Sequence, residues 1–322
     1  MVTAEKMIQT VNGLIPANEL GYCQSHEHLF IADSRSVKLI PSLRLDDFEK
    51  TSQELAAYRE LGGISLVDAQ PVGCGRMAGS LYNASIRTGV NIISSTGFHK
   101  LVFYPENHWI HNMDDTALLE LFTGEIESGM FVDCDTSLPS RRISSKAGLI
   151  KTASDTKGPS GEYRRYFEVS AEASRLTGCP ILSHTEMGGG ALEQIDLFTA
   201  HRVPVDSIII CHVDRVLTDM GYLLAVAQTG VYLEFDTIGR FKYHSDEDEA
   251  RFILKLVEQG YEDRILIGLD TTRERMKSYG GSLGLDYILT SFIPLLKSTG
   301  ITDAAIDKFT IGNPAKAFTI EN

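Results

Sequence analysis

Eight short runs of branched aliphatic residues recur along the chain, and each is followed by a polar or glycine-rich break. Seven clear runs cover 63–69, 90–96, 148–153, 180–185, 207–212, 231–236 and 264–270, and a weaker first run covers 21–26. Short runs that are apolar almost throughout are typical of strands buried on both faces of a parallel sheet. The pattern therefore predicts a core of parallel β-strands.

Amphipathic segments separate several of these runs, which indicates that helices connect the strands. The clearest segments cover 46–63, 161–178, 217–230 and 246–260, and the first opens with acids and ends with glycines, as helices often do. Eight alternating strands and helices are the number that closes into a barrel. A doubly wound open sheet is the alternative, but no GxGxxG motif follows the first run. We predict an α/β fold, a (β/α)8 TIM barrel, as a single domain over residues 1–322.

Composition restricts the partners of such a barrel. A net charge of −13 argues against nucleic acid or an anionic membrane as the main partner and leaves a small-molecule substrate, with room for a homodimer. No stretch has the apolar length that a membrane span needs, and the first residues do not resemble a signal peptide. Five scattered cysteines without a CxxC pair favour a reducing, cytoplasmic location.

Side chains able to bind a cation collect where the runs end. His26 ends the first run and His28 follows two residues later, so both imidazoles point to one face of a strand. Strand ends or strand interiors also carry four further groups, namely Lys151, His184, His212 and Asp270. Taken singly, a histidine can be a core residue, a lysine can reach solvent and an aspartate can cap a helix. Because the carboxyl ends of barrel strands meet at one face, the coincidence of all six predicts a metal centre.

The order of these residues resembles that of the amidohydrolase superfamily, and finer motifs resemble its phosphotriesterase-like family. The matching stretches are SHEHLF (25–30), GLIKTAS (148–154), SHTEMGGGALEQ (183–194), CHVDR (211–215), YLEFDTIGR (232–240) and NPAKAF (313–318). They follow the family order over nearly the whole chain. The family includes lactonases, carboxylesterases and organophosphate hydrolases.

The resemblance implies metal-assisted hydrolysis by two divalent ions, with zinc expected and manganese, cobalt or iron as alternatives. It implies that carbon dioxide carboxylates Lys151 on its ε-nitrogen, so that the resulting N6-carboxylysine serves both metals. The more buried metal would be held by His26, His28 and Asp270, and the more exposed one by His184 and His212. Asp270 is also implied as the catalytic group that moves a proton to the leaving group.

Cationic residues follow the seventh and eighth runs, in the loops where barrels often bind phosphate. The candidate substrate-binding residues are Arg240, Lys242, Tyr243, Arg273, Arg275 and Tyr279. In a chain of net negative charge, cations gathered on two loops favour an anionic substrate. A solvated surface with local ion pairs is the alternative, and Glu274 between two arginines supports it.

Together, these observations predict a lactonase that opens a phosphorylated sugar lactone. One alternative is a lactonase or carboxylesterase for hydrophobic acyl lactones with weak phosphotriesterase activity, because Phe98, Phe103, Trp109 and Met276 could supply an apolar pocket mouth. A second alternative is a metal-binding barrel without turnover that has a regulatory role.

Overall fold

Eight parallel strands form the centre of the protein, for which the computed structural model describes residues 5–132 and 134–320. The strands are β1 Cys23–Glu27, β2 Ser65–Asp68, β3 Asn91–Gly97, β4 Leu149–Ala153, β5 Ile181–His184, β6 Ile208–Cys211, β7 Tyr232–Phe235 and β8 Ile265–Ile267. Hydrogen-bonded neighbours follow chain order from β1 to β8. Ser25 Oγ donates to the Ile267 carbonyl at 2.9 Å, and the Asp270 N–H donates to the His26 carbonyl at 2.9 Å. These bonds join the last strand to the first, and the predicted TIM barrel is confirmed.

Helices surround the barrel, as the sequence pattern predicts. They are α1 Arg35–Leu39, α2 Phe48–Glu60, α3 Ala78–Thr88, α4 Trp109–Asn112, α5 Asp115–Glu127, α6 Tyr163–Thr177, α7 Ala191–Ala200, α8 Met220–Gln228, α9 Asp246–Glu258, α10 Ile293–Thr299, α11 Asp303–Asp307 and α12 Asn313–Ala317. The π-helical turns Ile288–Phe292 and Lys308–Gly312 adjoin the last helices, and a small antiparallel hairpin pairs Phe131–Val132 with Arg141–Arg142. The four predicted amphipathic segments become α2, α6, α8 and α9.

The barrel interior is packed rather than hollow. Alternate strand residues form an inner apolar cluster of Cys23, Val67, Ile93, Leu149, Leu182, Ile209, Cys211, Tyr232 and Leu266. The amino-terminal end of the barrel is sealed by Ile8, Leu20 and Phe318, which join this cluster. Ile8 lies in the antiparallel hairpin Met7–Thr10 and Gly13–Pro16. Only the carboxyl-terminal end of this interior is thus left for polar chemistry.

Two glycines allow close backbone contacts beside the predicted ligands. Gly97 pairs with Lys151 across β3 and β4 and has a φ of +90°, and a Cβ there would lie 2.1 Å from the Lys151 carbonyl oxygen. A Cβ on Gly268 would lie 2.9 Å from the backbone nitrogen of His26. Both positions therefore need glycine to bring neighbouring strands together at the site.

Among residues 5–132 and 134–320, no helix has the length and apolar character required to cross a membrane. All five cysteines are buried with free thiols.

Candidate active site

A cavity of about 480 Å³ opens at the carboxyl-terminal end of the barrel. All six predicted metal ligands line it: His26, His28, Lys151, His184, His212 and Asp270. Each of these side chains is buried. Six residues separated by up to 244 positions in the sequence therefore meet in one place, because each lies within, at the end of or just after a barrel strand.

A break in the β1 ladder directs the two histidines of the first strand. The pairing of β1 with β2 shifts register between Gln24 and Glu27. Such bulges re-aim side chains near active sites. The rings of His26 and His28 lie 5.7 Å apart at the cavity floor. The ligand atoms of both histidines and Asp270 lie within 4.8 Å of one another.

Buried carboxylates orient two of the imidazoles from behind. Nδ1 of His26 lies 2.7 Å from Glu234 Oε2 and 3.0 Å from Asp236 Oδ2, and Nδ1 of His212 lies 2.6 Å from Asp236 Oδ1. A carboxylate on Nδ1 leaves Nε2 as the nitrogen that faces the cavity. Although burial and Lys151 oppose it, Glu234 raises the pKa of His26 well above its ordinary value.

The histidines of β5 and β6 are held in the form that binds metals. Burial lowers the pKa of His184 to about 3, and burial with the Arg215 charge lowers the pKa of His212 well below its ordinary value. Both rings are therefore neutral near pH 7. Nδ1 of His184 and Nε2 of His212 meet at 2.8 Å. Two ring nitrogens in this arrangement can share a proton or serve one cation.

Lys151 is the least ordinary residue of the cluster because its side chain is fully buried. Its Nζ lies 3.4 Å from His26 Nε2 and 3.7 Å from Cys211 Sγ. Among the described residues, no carboxylate oxygen lies within 4.0 Å of Nζ. A bare ammonium in this position is costly. Conversion to a carboxylated lysine would turn the cation into an anion that suits a metal centre.

Asp270 is presented by a strained turn at the end of β8. Its φ of +48° lies in the left-handed region, as does that of His212 at +61°. Glu27 accepts hydrogen bonds from the N–H groups of Leu269 at 2.9 Å and Thr271 at 3.3 Å, on both sides of Asp270. Strained backbone held in place by its surroundings is characteristic of functional sites.

Two arginines contact the outer oxygen of the Asp270 carboxylate. Arg240 lies 3.0 Å and Arg215 3.2 Å from Oδ2, whereas Oδ1 lies 3.3 Å from His28 Nε2. Although burial opposes it, the charge of Arg240 and the hydrogen bond with His28 hold the pKa of Asp270 well below its ordinary value. Asp270 is therefore an anion, as a metal ligand must be.

The donor set fits divalent cations. Nδ1 of His28 and Nε2 of His184 are buried without a hydrogen-bond partner in the described part of the chain. Such unpaired buried nitrogens are rare unless an ion or water completes them. Four imidazoles and a carboxylate supply the ligand types that zinc and its neighbours prefer.

The structure brings only part of the predicted substrate-binding set to the cavity. Arg240, Lys242, Tyr243 and Arg275 line it, whereas Arg273 and Tyr279 do not. Tyr279 instead shares a hydrogen bond with Thr51 on α2 at 2.9 Å, and the Arg273 guanidinium lies over the Tyr279 ring. Tyr279 thus packs the β8 loop against α2, and the exposed Arg273 stacks on its ring.

Arg275 lines the cavity, but its guanidinium is already engaged in hydrogen bonds to backbone carbonyls. Its guanidinium donates to the carbonyls of Leu269 and Ile238, and the residue is buried. It thereby joins the loops after β7 and β8. Arg240, Lys242 and Tyr243 remain as the cationic and phenolic groups of the β7 loop.

Three charged residues that line the cavity were not predicted from the sequence: Lys100, Glu186 and Arg215. Glu186 lies 2.6 Å from Lys100 Nζ and 3.8 Å from Arg215 Nη1. The contact with His184, whose Nε2 lies 3.6 Å from Glu186 Oε2, lowers the pKa of Glu186. Each of the three residues comes a few positions after a strand, and that position was the available signal.

The apolar residues considered for a hydrophobic mouth are packing residues in three of four cases. Phe98 and Met276 are fully buried and Trp109 is nearly so. Phe103 alone of the four lines the cavity.

A TIM barrel with a buried histidine, lysine and aspartate cluster at its carboxyl end defines a class, the metal-dependent hydrolases. The model of the Phosphotriesterase family matches residues 6–318. The chain belongs to that family and is a metal-dependent ester hydrolase that acts on a small molecule.

Named relatives and a solved structure support this family membership. The phospho-furanose lactonase of Mycoplasmopsis synoviae (strain 53) is 30% identical over 98% of this chain and 92% of that protein. The phosphotriesterase homology protein of Escherichia coli (strain K12) is 31% identical over 92% of this chain and 98% of that protein. The crystal structure of a lactonase from Listeria monocytogenes superposes with a TM-score of 0.90 at 31% identity, covering 98% of this chain and all of that chain.

Proposed function

We propose that this enzyme uses two divalent metal ions to open a phosphorylated sugar lactone to the sugar acid. The observation that carries the proposal is the position of the β7 loop, whose Arg240, Lys242 and Tyr243 line the same cavity as the histidine cluster. A relative named phospho-furanose lactonase supports the same substrate class.

In this proposal, one metal is held by His26, His28 and Asp270 and the other by His184 and His212. Carboxylated Lys151 contributes to both. When bound, the metals would supply Lewis-acid chemistry for the lactone carbonyl and would lower the pKa of a water molecule toward neutral. Zinc suits the histidine and carboxylate donors, and manganese, cobalt or iron would also be accepted.

The chain's own residues account for the proton and the products. The water oxygen bonds to the carbonyl carbon, and the bond between that carbon and the ring oxygen breaks. Asp270 accepts the proton of the water at its carboxylate and returns it to the ring oxygen, which leaves as a hydroxyl group. Arg215 and Arg240 fix the Asp270 carboxylate in the position that this transfer needs.

The β7 loop would bind the phosphate. Lys242 is exposed at the mouth of the cavity, with its ammonium 4.7 Å from the centre of the Tyr243 ring. An exposed lysine can act as a point charge for phosphate without first breaking a buried contact. Arg240 is engaged with Asp270 and orients the carboxylate as well.

The test compares sugar lactones with their 5-phosphates in a pH-indicator assay of metal-loaded protein. The wild-type enzyme should strongly prefer the phosphorylated partner. Lys242→Met should lower kcat/KM for the phosphorylated lactone about tenfold, the low end for a lost charge-assisted contact because Lys242 is exposed. The rate on the unphosphorylated partner should not change.

Lys255→Met is the matched control, because Lys255 is an exposed lysine of the neighbouring helix α9. It should leave both rates unchanged. Equal wild-type rates on the two partners, or equal losses in Lys242→Met and Lys255→Met, would contradict phosphate binding at this loop.

The second candidate is a lactonase for hydrophobic acyl lactones. Ile40, Leu43, Phe103 and Phe241 line the cavity, and Phe241 is 63% exposed. Higher rates on acyl lactones than on any sugar lactone would favour it and would leave the metal centre unaffected.

A further inference from the structure

A second group of ionisable side chains lies behind the metal centre, between the end of β6 and the first turn of α9. Asp214 and Glu249 are fully buried, and the side chain of His244 is 6% exposed. One ligand atom from each residue lies within 4.8 Å of the others. None of the three lines the cavity.

Most of the carboxylate oxygens in this group lack a hydrogen-bond donor in the described part of the chain. Both carboxylate oxygens of Glu249 and Oδ1 of Asp214 are buried without a donor in the described residues. The two carboxyl groups lie within hydrogen-bonding reach of each other. Burial and the charge of Asp214 raise the pKa of Glu249 well above its ordinary value. Two carboxylates forced together away from water need either a proton or a cation between them.

His244 supplies the third possible ligand of the group. Its Nδ1 lies 3.6 Å from Glu249 Oε2, and its Nε2 lies 3.0 Å from Thr237 Oγ1. Nδ1 also lies 3.2 Å from the Ser245 carbonyl oxygen, which can only accept, so Nδ1–H is the donor there and Nε2 accepts from the threonine hydroxyl. A bound cation would displace the Nδ1 proton, as metal binding to imidazole requires, and Nε2–H would then donate to the threonine hydroxyl.

We propose that Asp214, His244 and Glu249 bind an additional divalent cation, separate from the metals of the active site. Two carboxylates and one imidazole are ligands that zinc and manganese accept. The cation would neutralise the paired carboxylates and occupy the space that their oxygen atoms and Nδ1 enclose.

Such an ion would anchor the loop that bears the proposed phosphate contacts. Asp214 follows β6, His244 ends the loop after β7, and Glu249 lies in α9. Asp214 Oδ2 also accepts the Thr237 N–H at 2.7 Å, at the start of that loop. The ion would therefore join three consecutive parts of the barrel and hold both ends of the β7 loop.

Metal content tests the proposal without any measurement of activity. Wild type, Glu249→Gln and Glu247→Gln are loaded with Mn²⁺ or Zn²⁺, freed of unbound metal and analysed by inductively coupled plasma mass spectrometry. Glu247 is an exposed acid in the same helical turn, so its variant is the matched control. Glu249→Gln should contain one metal equivalent fewer per chain than wild type, and Glu247→Gln should equal wild type.

Equal metal content in all three proteins would overturn the proposal and would indicate that the two carboxyl groups share a proton. His244→Gln should lose the same single equivalent, which keeps the test available if Glu249→Gln does not fold. If neither variant folds, native mass spectrometry of wild type titrated with Mn²⁺ decides, and saturation at two equivalents or fewer overturns the site. Because the variant test counts a difference from wild type, failure of the proposed lactonase function would not alter its outcome.

Discussion

At the scale of single residues, the site depends on how neighbouring groups prepare each ligand. Asp236 contacts Nδ1 of both His26 and His212, and so orients one imidazole for each proposed metal. The sequence predicted the ligands because they occur where the apolar runs end. It did not predict Glu234 or Asp236 as their partners, since an acid inside a strand gives no signal of what it contacts.

Lys151 allows a direct test at this scale. Lys151→Met should lose the bound metal and lower hydrolysis by at least about hundredfold, because even outer partners of metal ligands contribute ten- to hundredfold. Native mass spectrometry should find wild type heavier than its sequence by one carbon dioxide plus the bound metals, and the variant at its sequence mass. Lys157→Met, at an exposed lysine of the following loop, should behave as wild type. Full metal content in Lys151→Met would contradict the assignment.

At the scale of secondary structure, the carboxyl ends of the strands position the six cluster residues. Buried polar side chains bind the loops that follow those ends. Asp68 ends β2 and accepts the Leu29 N–H at 2.8 Å and the Gln70 N–H at 3.2 Å. It thereby fixes the loop that follows His28. The pattern of apolar runs predicted each strand to within a few residues, but the bulge in β1 depends on pairing with β2 and was not predictable from β1 itself.

Asp68 should make stability depend on pH. Burial raises its pKa to about 7 from an unfolded value of 3.8, so the folded protein binds the proton more tightly. The free energy of unfolding should therefore fall as pH rises from about 4 to about 7. Asp68→Asn should remove this part of the slope in urea unfolding, whereas Asp196→Asn, at an exposed position, should keep it. Identical slopes in wild type and Asp68→Asn would contradict the account.

At the scale of the whole molecule, the barrel and the meeting of the six side chains in one cavity were predictable, and the rest of the cavity wall was predictable only in part. The apolar runs and their ends are local features of the sequence, so the fold and the clustering of the six side chains could be predicted from them. Which way a loop side chain points depends on the layer that covers it. Tyr279 contacts α2, Arg273 lies over the Tyr279 ring and Arg275 binds backbone carbonyls, although the sequence predicted all three as substrate-binding residues.

The central claim is that these six residues form a two-metal centre. The most direct measurement is a crystal structure of metal-loaded protein with anomalous scattering data collected at the absorption edge of the metal. The account predicts two anomalous peaks in the cavity, one contacting His26, His28 and Asp270 and the other contacting His184 and His212, with density for a carboxylated Lys151 between them. A single peak, or none in contact with these residues, would contradict it.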